Sequence, residues 1–504
     1  MGQSVKSANK GAKASAKGSN QRSNQRSNKG GSGSLSARQL AVNALRQVHQ
    51  GGYADVVVDR LLSQNPLESR DRRLFTEVVY GAVRRMRTLD AVIDALAKKS
   101  ALGQPPNLRV VLHVGLYQIL FLDHIPSSAA VDTTVELAKG NGLAGLAGFV
   151  NGLLRRLVRE LEAGEEAGGD LEAGENEGGG GDGGGKNDAL LRLTHPTLDV
   201  VGRLGVGYSF PDWLVALWVG QFGEVETELL CEWMNQPPHL DLRVNGRRGS
   251  VEALERSLET LDVVVSRIPG VPMGLRLSHS PGPIQEMPGF VTGEWMVQDA
   301  SAQLVGYLVD PQPGEVVADL CAAPGGKSVH LAELMGDVGR VIALDKTGSR
   351  LKKVRQNCDR LGMRSIELVE GDAREVRTWD GQCDRVLVDA PCSGLGTLNR
   401  HADARWRQSP ESIEALVVLQ GEILASAARW VKPGGKLVYS TCTLHPAENE
   451  GVVKSFLARH PEWAIDRVLE DNPVFPLMGP EGWVRVVPHR QDMDGFFMVR
   501  LRRV

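Results

Sequence analysis

Two cysteines in this 504-residue chain stand where a thiol could act as a nucleophile. Cys392 lies in Asp389-Ala390-Pro391-Cys392-Ser393-Gly394 and Cys442 in Tyr439-Ser440-Thr441-Cys442-Thr443, and each follows an apolar run that reads as a strand. Four aspartates hold comparable places, because Asp319, Asp345, Asp372 and Asp389 each end a predicted strand. In open α/β sheets the ligand crevice lies outside the carboxyl ends of the strands, so these six side chains are expected to converge there. Asp345, after the second strand, is suited to accept hydrogen bonds from ribose hydroxyls. Taken singly, any of these aspartates could cap a helix or form a turn, and a free thiol is most often a small buried hydrophobe. That plain reading is kept for Cys231, Cys358 and Cys383. Consecutive strand ends make it a poor account of the others.

The stretch Val316 to Ser328, VVADLCAAPGGKS, is the turn around which these groups are arranged. A short β-branched run precedes Gly325-Gly326, and an amphipathic run from Ser328 to Met335 follows: strand, glycine turn, helix. A phosphate-binding loop needs a first glycine where Cys321 stands, so that motif fails, and the G-x-G-x-x-G of a nicotinamide or flavin site is absent. A plain βα turn whose glycines only relieve crowding stays open on these residues alone.

Composition sets the frame for the elements that must position this site. A chain of this length exceeds one ordinary core, and two or three domains are expected. The formal net charge of −3 hides segregation, since residues 1–34 carry lysine and arginine and no acid, while 162–188 is acidic and glycine-rich. The first is expected to be a disordered basic tail (1–35) and the second a flexible linker. Six cysteines without a C-x-x-C pair argue for reduced thiols in a cytosolic protein, with no zinc site and no disulfide framework. No apolar signal segment is expected at the start, and the most apolar run, Val110 to Leu122, is too short to span a membrane.

Between these segments, residues 36–161 show helical spacing, with candidates at 70–86, 89–98, 108–121, 129–139 and 144–161, and no strand pattern. Arg70, Arg72, Arg73, Arg84, Arg85 and Arg87 cluster about one helix and Arg155, Arg156 and Arg159 lie in another, either as solvated faces or as an RNA-contacting surface. Residues 189–293 are mixed, with helices near 212–218 and 225–234 and strands at 240–244 and 273–277. Residues 294–504 begin with a helix at 297–309. Strands and helices then alternate, which argues for a parallel sheet covered on both faces, and end in a hairpin of 483–488 and 496–501.

Several of these segments resemble a known family. DLCAAPGGKS is similar to the cofactor turn of RNA cytosine-5 methyltransferases that use S-adenosylmethionine, and DAPCSG together with STCT matches that family's pair of cysteine motifs. SARQLAVNALRQV, SRDRRLFTEVVYGAVRRMRTLD, LRVVLHVGLYQILFLDHIP and AVDTTVELAK resemble the NusB-like RNA-binding domain that precedes the catalytic domain in the Sun/Fmu (RsmB) branch. The resemblance implies an all-α NusB-like domain, a small substrate-positioning region, and a Rossmann-like class I methyltransferase domain with a mostly parallel sheet closed by an antiparallel strand. It also implies that Cys321, Ala322, Ala323, Pro324, Gly325, Gly326 and Lys327 wrap S-adenosylmethionine, that Asp345 holds its ribose, that Asp372 lies by the adenine, and that Asp389 sits between cofactor and base.

The chemistry the family performs needs a thiol. Carbon-5 of cytosine is a poor nucleophile, and a thiolate adding to carbon-6 builds enamine character at carbon-5, splitting one hard step into easier ones. In the resembled RNA family the second motif supplies the nucleophile, which assigns Cys442 that role, leaves Cys392 to resolve the covalent adduct and gives Asp389 the cytosine edge. DNA enzymes use the cysteine after Pro, so Cys442 and the helical domain disfavour them.

Asn399 to Trp406 resembles the family's substrate-side loop, with Ala402 where Pro is usual; Arg400 and Arg405 are expected to meet phosphates and Trp406 to pack. Glu448 and Glu450, beside Pro446, need only a helix-start role. The expected partner is small-subunit ribosomal RNA, acted on by a monomer without a metal. A transfer-RNA enzyme and a non-catalytic assembly factor are the alternatives.

Overall fold

The computed structural model describes residues 35–169, 190, 193, 194 and 199–504. The tail at 1–34 and most of the expected linker, 170–189, lie outside the described residues.

Seven helices form the first unit: α1 (Ala37–His49), α2 (Ala54–Gln64), α3 (Ser69–Arg84), α4 (Met86–Leu96), α5 (Pro106–Phe121), α6 (Ser127–Gly140) and α7 (Ala147–Gly169). Ser36 caps α1, its hydroxyl accepting from the Gln39 amide at 3.2 Å, and Pro106 opens α5, where a missing N–H costs nothing. α5 is buried nearly all round and forms the centre of the bundle. Its neighbours give it one face each, with Leu40, Phe75, Val92, Val131 and Leu154 fully or almost fully buried. α7 runs into the segment expected to be linker.

The basic helix face divides. Arg70, Arg72 and Arg73 are exposed, as are Arg155, Arg156 and Arg159. Arg84, Arg85 and Arg87 instead face the rest of the chain: Arg84 donates to the Asn399 carbonyl at 2.9 Å, and Arg85 donates to the Gly207 carbonyl at 3.4 Å, burial lowering its guanidinium to about 10. The Arg87 amide donates to Ser209 Oγ at 3.1 Å. Those three are seam residues.

The second unit is a four-stranded antiparallel sheet ordered β2-β3-β1-β4, from β1 (Leu240–Val244), β2 (Val265–Arg267), β3 (Gly274–Leu277) and β4 (Trp295–Val297). Trp295 ends up fully buried under it. The expected helix at 297–309 is thereby corrected: residues 295–297 are β4, Asp299 caps the following turn by accepting from the Ser301 amide at 2.8 Å, and the helix is Ala300–Val309. From β1, the almost fully buried Arg243 reaches into the third unit. It pairs with both oxygens of Glu333 at 2.9 and 3.1 Å and donates to the Gly326 carbonyl at 2.9 Å. Removing one partner of a buried ion pair costs about 3–5 kcal/mol. Arg243→Ala is therefore expected to lower the free energy of unfolding by about that much in denaturant titrations.

The third unit holds the large sheet. Its strands are β5 (Val316–Asp319), β6 (Arg340–Asp345), β7 (Ile366–Glu370), β8 (Cys383–Asp389), β9 (Val431–Thr441), β10 (Trp463–Ile465), β11 (Trp483–Val486) and β12 (Phe496–Arg503), ordered β10-β12-β9-β8-β5-β6-β7 with β11 paired to β12. β5 to β9 are parallel; β10, β11 and β12 make antiparallel pairs. Successive residues point to opposite faces, so Val341 and Ala343 join one core while Ile342 and Leu344 join the other. Both faces are covered, which is why these strands read as apolar runs. After β7 the chain returns to the other side of β5, and the switch point between β5 and β8 is where a ligand crevice is expected.

Candidate active site

The register of the parallel strands aligns the aspartates. Asp319 on β5 stands opposite Leu387 and Ala343, and Asp389 on β8 opposite Ser440 on β9. Ser440 Oγ donates to Asp389 Oδ1 at 3.0 Å. From the helix Gly326–Leu334, Lys327 Nζ crosses the switch point to Asp389 Oδ2 at 2.7 Å. Burial works against the Lys327 ammonium, but the Asp389 carboxylate overcomes it and holds the amine above its ordinary value. Asp389 thus bridges the helix that follows the glycine turn and strand β9.

The turn itself is built from small residues. Gly325 has φ 103°, in the left-handed region, and a Cβ there would come within 2.9 Å of Val354, so only glycine can make the turn this close to the helix Gly348–Leu361. Ala322 N donates to the Leu344 carbonyl at 2.9 Å, and Ala323 N to Asp345 Oδ2 at 3.2 Å. Asp345 Oδ1 takes the Thr347 amide at 3.0 Å. The turn between Cys321 and Lys327 is therefore fastened to the ends of β6 and β8, with Asp345 and Asp389 flanking it. Burial pushes the Cys321 thiol well up, so it is an inert lining group. Asp372, two residues beyond β7, is held by Arg374 at 2.8 Å and Lys346 at 3.1 Å; the Arg374 hydrogen bond keeps its carboxyl well below the usual range.

Asp319 differs from these. Ser328 Oγ donates to its Oδ2 at 2.6 Å, while its buried Oδ1 has no hydrogen-bond partner. Burial raises this carboxyl to about 6. An orphaned acceptor beneath a glycine turn, beside carboxylates at neighbouring strand ends, fits a cationic nucleoside with free ribose hydroxyls.

Cys392 and Cys442 meet. Three residues past β8 and one past β9, their sulfurs lie 3.4 Å apart. The hydrogen bond with Cys442 and then burial push the Cys392 thiol well above its ordinary value. Three loops are laced together here: Gly396 N donates to the Cys442 carbonyl at 2.9 Å and Gly495 N to the Gly396 carbonyl at 2.8 Å. A Cβ on Gly396 would fall 2.0 Å from the Gly495 carbonyl oxygen, so no side chain fits at that crossing. Above Cys442 opens a cleft of about 550 Å³, walled by Gln298, Asp299, Thr397, Arg400, Asp494 and Phe496 and, from the helical unit, by Tyr53 and Asp55.

Several side chains have roles their spacing did not reveal. Glu448, expected only to start a helix, is fully buried beneath the two cysteine loops. It accepts from the Ser393 amide at 2.8 Å, the Ser393 hydroxyl, Gln420 Nε2 at 2.9 Å and Thr443 Oγ1 at 3.2 Å. Its neighbour Asn449 donates to the Thr443 carbonyl at 2.9 Å. Together they clamp the segments on either side of Cys392 and Cys442 from within a π-helical turn, Ala447–Gly451. The position of Glu448 beside Pro446 gave no sign of this inward direction.

Arg400 and Arg405 do not stand free for phosphates. Arg400 binds Asp494 Oδ2 at 2.6 Å and Asp299 Oδ2 at 3.0 Å. Arg405 is fully buried over the Phe210 ring and donates to the carbonyls of Arg84, Ser209 and Leu398, each at 3.2 Å. Trp406 packs as expected, its Nε1 donating to the Val83 carbonyl at 2.8 Å, and His401 pairs with Asp55 at 3.0 Å.

Three segments of the chain match known families. Residues 306–502 match the family described as 16S rRNA methyltransferase RsmB/F, 35–159 the NusB family, and 210–285 a ferredoxin-like domain of RsmF/B-like methyltransferases. A probable ribosomal RNA small subunit methyltransferase B from Synechocystis is 44% identical over 473 residues, 93% of this chain and 100% of that protein. The like-named Bacillus subtilis protein is 34% identical over 93% of this chain and 99% of its own length. In the crystal structure of PH0851, a chain 28% identical covers 93% of this one and 99% of itself with a TM-score of 0.72. With relatives this similar along nearly its whole described length, the chain belongs to the RsmB/F family of 16S rRNA methyltransferases.

Proposed function

We propose that the chain transfers a methyl group from S-adenosylmethionine to carbon-5 of one cytosine in small-subunit (16S) ribosomal RNA, through a covalent bond between Cys442 and the base, in the cytoplasm. The observation that carries this reading is the pair of sulfurs 3.4 Å apart, that of Cys442 belonging to a residue that lines the cleft. S-adenosylmethionine, when bound, supplies an electrophilic methyl group on a sulfonium. Asp345 and Asp372 would accept hydrogen bonds from its nucleoside, and residues 321–327 would form the wall around it.

The remaining work falls to side chains of this protein. A base must leave its stack to reach a pocket of this kind. Cys442 Sγ adds to carbon-6 of the ring, and Asp389, already held by Lys327 and Ser440, accepts from the cytosine edge and favours protonation there. Once carbon-5 is methylated, a water molecule entering from the open cleft takes its proton, the carbon–hydrogen electron pair re-forms the ring double bond, and the Cys442–carbon-6 bond breaks with its pair on sulfur. The leaving group is a thiolate, and Cys392, which keeps its proton at neutral pH, donates it toward that sulfur.

The cofactor side is tested by binding. A hydrogen bond to a charged acceptor contributes about 1.5–3 kcal/mol, so Asp345→Ala is expected to raise the Kd for S-adenosylmethionine roughly 10- to 100-fold in calorimetric titrations. Bisulfite sequencing of RNA from a deletion strain tests the whole reading. Loss of one methylcytosine in small-subunit RNA is expected. Loss only in transfer RNA selects a transfer-RNA enzyme, and no loss anywhere selects a non-catalytic assembly factor.

A further inference from the structure

We propose that Tyr53 and Arg407 form a stacking platform for an unpaired nucleobase next to the target cytosine, so that the helical unit builds part of the substrate cleft. The proposal rests on the reading of the chain as an RNA cytosine methyltransferase. Of the six tyrosines, Tyr53 alone is exposed, at 60% of its surface. It does no core work: the start of α2 is anchored by Ala54, Val57 and Val58, all nearly buried. Its ring instead lies on the wall of the cleft that holds Cys442.

The ring is held in place. The Arg407 guanidinium lies 3.4 Å from its centroid and donates to the Gly51 carbonyl at 3.1 Å. The Ala54 amide donates to Asp403 Oδ2 at 3.3 Å, and His401 binds Asp55 at 3.0 Å. The turn carrying Tyr53 is therefore docked on the 401–407 segment by contacts on both sides of the aromatic ring. An aromatic ring backed by a guanidinium and open to solvent is the surface on which unstacked bases lie, because every base has a π-face and sits beside a phosphate. A cytosine that swings out to Cys442 uncovers one face of its neighbour. Tyr53 stands at the rim of the same cleft to cover it.

The test uses the full-length enzyme and an RNA fragment containing the methylated site, intact or with single abasic substitutions on either side of the target. Tyr53→Ala is expected to raise KM for the intact RNA roughly 5- to 100-fold, the range that loss of one base–aromatic stack produces. kcat at saturating RNA and the melting temperature should change little, and Tyr53→Phe should restore the wild-type KM. One abasic substitution should raise the wild-type KM comparably and add nothing in Tyr53→Ala. A wild-type KM in Tyr53→Ala overturns the platform, as does an abasic penalty equal in both enzymes at every flanking position. A wild-type enzyme that methylates no cytosine overturns the functional reading instead, and the platform with it.

Discussion

Cys442→Ala is expected to bind S-adenosylmethionine and RNA as the wild type does and to methylate nothing. The thiol is partly exposed at the floor of the cleft, so its removal opens no buried cavity, and stability should change by less than about 1 kcal/mol. The effect falls on the chemical step. Without a nucleophile at carbon-6, carbon-5 never acquires enamine character, and loss of a covalent nucleophile is expected to lower kcat by at least roughly 10³-fold. Radiolabelled methyl transfer to RNA measures the loss, and a calorimetric cofactor titration shows that the fold has survived. Wild-type turnover in this variant would remove Cys442 from the mechanism.

Cys392→Ala is expected to fail later. Addition to carbon-6 needs only Cys442, so the covalent protein–RNA adduct should form, but its breakdown loses the proton that Cys392 holds against the departing sulfur. A positioned acid contributes about 10²–10⁴-fold to such a step. Multiple turnover should fall by that order, while an adduct stable in denaturing gels builds up in proportion to the enzyme. The sequence positions of the two thiols are nearly equivalent, each just beyond a strand, and the two variants nevertheless stop the reaction on opposite sides of the adduct. The double variant Cys392→Ala/Cys442→Ala should show no adduct, because Cys442 acts first.

The parts of the fold buried on both sides were the most legible. β5, β6 and β8 read as apolar runs because each of their faces meets a core, and their aspartates marked the crevice end. The three-residue strands β2, β4 and β10 were too short to show a period of two. The α2 segment, ADVVVDRLLSQ, carries a β-branched run that gave no helical signal, yet packing of Val57, Val58 and Leu61 against the bundle makes it a helix.

At the site, spacing put Cys392 and Cys442 just beyond strand ends, and their sulfurs meet there. It could not tell an outward arginine from a buried one. Arg405 is buried by Phe210 and hydrogen-bonded to residues of the other two units, and Arg400 is neutralised by Asp299 and Asp494, about a hundred positions away on either side. Glu448 was misread for the same reason: a carboxylate after a proline looks like a helix start until Ser393 and Gln420 are brought to it by the fold. Such partners are tertiary facts, set by which strand ends lie side by side.

The central claim is that Cys442, and no other thiol, bonds to the base. RNA carrying 5-fluorocytosine at the target tests it, because fluorine at carbon-5 cannot leave as a proton does and the reaction stops at the adduct. Peptide mapping of the trapped species should place the nucleotide on the peptide containing Cys442, in wild type and in Cys392→Ala alike. A nucleotide on Cys392, or methyl transfer with no adduct at all, would contradict the account.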